Sequence, residues 1–205
     1  MNPTKIVYID DNLSDTDPLI IELGNEFGQS NVTLKKKSSE GLAYVLDNIG
    51  GKLIVLLDLD LGPGEPHGVE VFEKIREKTS LVYIIIITAK QLNTIDGNEL
   101  VKFINNDALA IINNTEDIDK IIKLVYKASH QLDTRIDCVL EEWILNRPEK
   151  ERKSIYLSTR SGKDYTLEDI VAEIRHQTSL GKNLEKGILQ LAIELLTTKK
   201  EQIND

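Results

Sequence analysis

The chain has 205 residues, 40% of them hydrophobic, and its one cysteine, Cys138, excludes a disulfide framework and fits a reducing cytoplasm. Its net charge of -9 falls entirely within residues 1–147, because acids and bases cancel beyond them, and an acidic domain is a poor partner for nucleic acid or anionic membrane. No signal-peptide pattern opens the chain and no apolar stretch approaches the ~20 residues that span a bilayer, so a soluble, cytoplasmic protein is expected.

Strand-like and helix-like segments alternate from the start. An apolar run closing at Ile9 precedes Asp10-Asp11, and residues 18–27 then place Leu19, Ile20, Leu23 and Phe27 at helical spacing. A short strand over 32–34 runs into Lys35-Lys36-Lys37, a local basic cluster read as a solvated edge. A helix is expected over 40–49, then a strand, Leu53 to Leu57, closing on Asp58. A Gly/Pro-rich loop over 62–68 leads to an amphipathic helix over 69–78 with Val71, Phe72 and Ile75 inward. The next strand closes on Thr88. A weak helix around 98–105 and a fifth strand over 108–112 follow, and Thr115 can cap a helix beginning near Glu116. Five such β/α units imply a doubly wound five-stranded parallel sheet, which binds its ligand outside the carboxyl ends of the strands, at the strand-order switch point.

Three acids and a threonine occupy those ends. Asp10, Asp11, Asp58 and Thr88 should therefore converge in one pocket. Clustered carboxylates repel unless a hard cation neutralises them, and Mg²⁺, with its preference for oxygen, is the natural candidate.

From Lys5 to Lys127 the chain resembles the response-regulator receiver domain of two-component signalling. The matching pieces are Ile9-Asp10-Asp11, Leu56-Leu57-Asp58-Leu59-Asp60-Leu61, Gly68-Val69-Glu70-Val71-Phe72 and Ile87-Thr88-Ala89. The resemblance implies a flavodoxin-like sheet and Asp58 as phosphoacceptor, served by a histidine kinase or phosphotransfer protein. It further implies Mg²⁺ on Asp11, Asp58 and the Asp60 backbone carbonyl, with Asp10 holding a metal-bound water. Thr88 would hydrogen-bond a phosphoryl oxygen. No catalytic turnover is expected beyond Mg-assisted self-phosphorylation of Asp58.

Two departures bear on that expectation. The fifth strand ends in Asn113-Asn114, where the receiver pattern has a lysine followed by proline. The loop between Asp58 and Gly68 is about two residues longer than the common receiver pattern. A lost cation removes a charge-assisted contact of roughly 1.5–3 kcal/mol to the phosphoryl group. The alternatives are a degenerate receiver scaffold that keeps its acids without phosphorylation, and a Mg-dependent phosphatase-like enzyme. The second lacks a downstream lysine and acid pair after Thr88. A Toprim nuclease would end its first strand in Glu, where this chain has Asp10.

Beyond the fifth strand, Ile118, Ile122, Val125, Ser129, Leu132, Ile136, Val139 and Trp143 step by fours and threes, with no Gly or Pro until Pro148. That spacing predicts one helix of about 31 residues whose second half needs a partner, a second copy being favoured over the C-terminal segment folding back. Residues 148–205 read as a charged break, a β-hairpin and two helices, with Thr166 and Asp169 forming a capping box. The last helix is expected to be mostly core, which together with zero net charge argues against DNA binding. His67, His130 and His176 lack metal-ligand spacing. The expected division is a receiver-like domain over 1–128, a dimerisation helix over 129–147 and a C-terminal segment over 148–205, whose output is protein contact through a homodimer.

Overall fold

The structure, a computed structural model, describes residues 3–106 and 108–198. Its first layer is a parallel sheet of β1 (Lys5–Ile9), β2 (Val32–Lys35), β3 (Leu53–Leu57), β4 (Tyr83–Thr88) and β5 (Ala110–Asn113), in the order β2-β1-β3-β4-β5. β3 is buried along its whole length, and β4 along all but its first residue, which is why they read as continuous apolar runs rather than alternating ones. Helices α1 (Pro18–Phe27) and α5 (Ile118–Asp133) cover one face, around Leu23, Ile54 and Val125. The other face carries α2 (Ser38–Asp47), α3 (Gly68–Lys78) and α4 (Gly97–Asn105), around Val55, Phe72 and Phe103.

The cap of α5 differs from expectation. Asp117, whose carboxylate accepts the Asp119 amide, caps it, while Thr115 instead donates its amide and hydroxyl to the Asn113 side chain.

The single long helix does not form. α5 stops at Asp133, Arg135 is extended (φ -72°, ψ 145°), and α6 (Ile136–Leu145) starts afresh. No Gly or Pro causes this break. It is set by Asp137, buried in the first turn of α6, where Arg135 grips its carboxylate through two hydrogen bonds of 2.6 and 3.0 Å. The turn divides the heptad seam. Leu132 and Cys138 stay in the sheet's core, whereas Val139 and Trp143 are about half exposed.

The C-terminal segment folds back onto α6. α7 (Glu149–Arg152) leads into the antiparallel hairpin of β6 (Ile155–Ser158) and β7 (Asp164–Thr166), and α8 (Leu167–Arg175) opens with the expected capping box. Leu167 and Val171 of α8 pack with Leu140 and Ile144 of α6. Arg175 ties this unit to the amino end of the sheet, donating to the Gly50 carbonyl and to Glu141, while its own carbonyl accepts the Thr79 hydroxyl at 3.2 Å.

α9 (Ser179–Thr198) corrects another expectation. Its first turn meets α8, but from Ile188 onward its apolar side chains are exposed rather than core. Helical spacing marks an apolar face without saying what covers it. Residues 199–205, the end of the expected C-terminal segment, lie outside the described residues, and so do Met1 and Asn2 of the expected receiver-like domain. Among the described residues no helix is long and apolar enough to cross a membrane.

Candidate functional site

The sheet order reverses between β1 and β3, and the acids sit at that crevice. Ile9 and Leu57 are register partners, so Asp10-Asp11 and Asp58 leave neighbouring strands side by side. One carboxylate oxygen from each of Asp10, Asp11 and Asp58 lies within 4.8 Å of the others. Thr88 and Asn113 are register partners on the next two strands.

Local hydrogen bonds fix the acids. Asp10 accepts the amides of Asn12 (2.8 Å) and Leu13 (3.2 Å), and Asp58 accepts the amide of Leu59 at 2.7 Å. Asp11 accepts the Asn12 side-chain amide at 2.9 Å. Gly68, which opens α3, lies so close to the β3 terminus that a Cβ there would fall 2.2 Å from the Asp58 carbonyl oxygen. The long β3–α3 loop is pinned as well: Glu65 accepts the Ser39 amide at 2.9 Å, and Pro66 accepts the Ser38 hydroxyl at 2.7 Å.

The electrostatics are those of crowded, poorly hydrated acids. Burial, and then the neighbouring Asp10 charge, push Asp58 from 3.8 up to about 6. Burial also raises Asp10, against the pull of the Asn12 and Leu13 amides. The donor set is three carboxylates with no nitrogen or sulfur, and it is short of positive charge. Those are the conditions a hard divalent cation satisfies.

Around the acids, the Thr88 hydroxyl is fully buried and accepts the Lys90 amide at 3.1 Å. Asn113 is committed elsewhere. Its side-chain amide donates to the Lys90 carbonyl (3.2 Å), and its oxygen accepts from Thr115. The Lys90 ammonium lies 2.7 Å from the Asp60 carboxylate, and His67 Nε2 lies 3.5 Å from the same oxygen.

The structure therefore brings together Asp10, Asp11 and Asp58, with Thr88 ending the next strand and Asp60 turned to Lys90 at the rim. The pairing of Lys90 with Asp60 is not among the expectations drawn from the sequence above. A signal was present: Asp60 and Lys90 each lie two residues beyond Asp58 and Thr88, at the ends of adjacent strands.

No family model matches the chain, and no curated protein matches it in sequence. Solved structures do match. A CheY-like response regulator receiver domain protein from Methanospirillum hungatei JF-1 is 23% identical, with a TM-score of 0.50 over 63% of this chain and 97% of that one. FixJ-N is 21% identical, with a TM-score of 0.50 over 63% of this chain and 96% of its own. The signal receiver domain of a modulated diguanylate cyclase from Desulfovibrio desulfuricans G20 is 16% identical, with a TM-score of 0.50 over 64% and 98%. With its five-stranded parallel sheet in the order β2-β1-β3-β4-β5 and its acids at the switch point, the chain has the fold of a CheY-like response-regulator receiver domain.

Proposed function

We propose that the chain is a phosphorelay signalling module in which Asp58 accepts a phosphoryl group from a histidine kinase or phosphotransfer protein. The observation that carries this reading is the convergence of the Asp10, Asp11 and Asp58 carboxylates within 4.8 Å at the switch point of a receiver fold. An Asp58 carboxylate oxygen attacks phosphorus as the donor's P–N bond breaks, leaving an acyl phosphate on the side chain. Asp10, Asp11, Asp58 and the Asp60 backbone carbonyl would hold Mg²⁺, which when bound supplies neutralising charge to the phosphoryl oxygens. Thr88, whose hydroxyl already accepts the Lys90 amide, keeps its own proton to donate to a phosphoryl oxygen.

Lys90 is assigned the cationic role that Asn113 cannot fill. In the unphosphorylated protein it rests on Asp60, and an incoming phosphoryl group two residues away competes for the same ammonium. The protein acts as a phosphoacceptor rather than as a turnover enzyme, and its output is protein contact through a homodimer.

A second reading has its own support. Asn113 is locked to Lys90 and Thr115 at the end of β5, as suits a receiver scaffold that signals without phosphorylation. Incubation with a small phosphoryl donor and Mg²⁺, followed by intact-mass measurement, separates the two. One phosphoryl group per chain, absent from Asp58→Asn, supports the phosphoacceptor; no adduct under any donor supports the scaffold.

A further inference from the structure

We infer that Asn113 is a positioning residue for the phosphorylation of Asp58, its side-chain amide holding the turn after β4 so that Lys90 reaches the acid site. The inference rests on the phosphoacceptor reading and gives the asparagine a part in it. Thr88 and Asn113 are register partners at the ends of neighbouring strands, so the turn 88–90 leaves β4 beside the Asn113 side chain. Asn113 Nδ2 donates to both carbonyls of that turn, Ala89 at 3.4 Å and Lys90 at 3.2 Å. Asn113 Oδ1 accepts the Thr115 amide at 2.9 Å and the Thr115 hydroxyl at 2.6 Å. A backbone amide on one side and two carbonyls on the other settle which end of the side chain is nitrogen. The Asn114 amide fastens the same turn again, donating to the Thr88 carbonyl at 2.9 Å.

The residue type follows from these bonds. A lysine at this position has donors but no acceptor, and would leave the Thr115 amide to water. An aspartate would accept from Thr115 but has nothing to give the two carbonyls. A side-chain amide does both. With its backbone fastened, Lys90 has only its side chain left to move. The Lys90 ammonium rests 2.7 Å from the Asp60 carboxylate, at the rim of the site. A long, flexible side chain is hard to aim, and fixing its root narrows the volume its charge samples, which raises its effective concentration at the phosphoryl group. The neutral amide at the end of β5 is then the support for a cation carried just past β4.

The test is a double-mutant cycle on the full chain, read as the initial rate of Asp58 labelling by acetyl phosphate with Mg²⁺ and followed by intact mass. Asn113→Ala is expected to slow labelling roughly 3- to 10-fold, the worth of one or two neutral hydrogen bonds. In a Lys90→Ala chain the same change is expected to cost less than about 2-fold, because the side chain it positions is gone. General damage to the site would slow both backgrounds alike. Thr115→Val, at an exposed position, removes one of the two donors that orient the Asn113 amide. It should show the same pattern at smaller size, and it decides should Asn113→Ala not fold. Equal slowing in the two backgrounds, or an unchanged rate in Asn113→Ala, overturns the inference and leaves the phosphoacceptor reading standing. A wild type that takes no phosphoryl group overturns both.

Discussion

The Arg175 guanidinium, in the last turn of α8, lies 3.3 Å from the carboxylate of Asp137, which is 1% exposed in the first turn of α6. Glu141 and the Gly50 carbonyl take the other two nitrogens, so one side chain joins α6, α8 and the amino end of the sheet. Burial alone would raise Asp137, but the Arg135 and Arg175 guanidiniums overcome it and hold the carboxyl below its usual range.

Arg175→Ala removes one of the two guanidiniums that face buried Asp137, leaving Arg135, and takes a charged contact from Glu141. The expected loss is about 3–5 kcal/mol of unfolding free energy, read from urea melts at neutral pH. Adding Glu141→Gln to the same chain should recover part of that loss, because it removes a carboxylate that has lost a cation, whereas Asp137 keeps Arg135. No recovery would mean that packing, not charge, holds the junction.

Lys90→Ala tests the cation assigned to the phosphoryl group. Lys90 is paired with Asp60 and is 36% exposed, so its contribution to stability is small and the variant should melt within a few degrees of wild type. Its effect should appear in the rate of Asp58 labelling by a small phosphoryl donor, lowered roughly 10- to 100-fold. Lys90→Arg keeps the charge and should retain much of the rate. An unchanged rate in Lys90→Ala would remove Lys90 from the site.

How much of this was legible in the sequence follows from the range of each interaction. The run Leu53–Leu57 was readable because a strand buried on both faces needs an apolar residue at every position. The Thr166–Asp169 capping box was readable because its two partners lie three residues apart. The break at Arg135 was not, since the buried Asp137 that fixes it also depends on Arg175, far along the chain and invisible to periodicity. The α9 face was legible as apolar, but covering it requires knowing where α8 aims the helix. The acids were legible from strand ends alone, whereas Lys90 and Asp60 meet only once β3 and β4 are neighbours.

Gly68→Ala tests how tightly α3 is drawn against the acid site. The added Cβ would fall 2.2 Å from the Asp58 carbonyl oxygen and 2.7 Å from the Leu59 Cα, both backbone atoms that no rotamer change can move. A destabilisation of about 1–3 kcal/mol is expected in denaturant melts. Because the strain falls at Asp58 itself, labelling of Asp58 should slow as well. A variant as stable and as readily labelled as wild type would show that α3 can retreat without cost.

The raised Asp58 makes the stability of the metal-free protein depend on pH with a defined sign. Below pH 3.8 the carboxyl is protonated in folded and unfolded chains alike, and no cost arises. As pH rises from there towards about 6, the unfolded chain releases the proton while the folded chain retains it, so stability falls. Above that range the loss is complete, on the order of 2–3 kcal/mol. Asp10, raised by burial in the same way, adds to it with the same sign. Asp58→Asn should therefore melt higher than wild type at pH 8 in a chelator and about level with it below pH 4. Mg²⁺ held as proposed would bind the ionised acids, so it should raise the melting temperature of wild type at pH 8 and have little effect at pH 5. Equal Mg²⁺ shifts at the two pH values, or none at either, would rule out these carboxylates as its ligands.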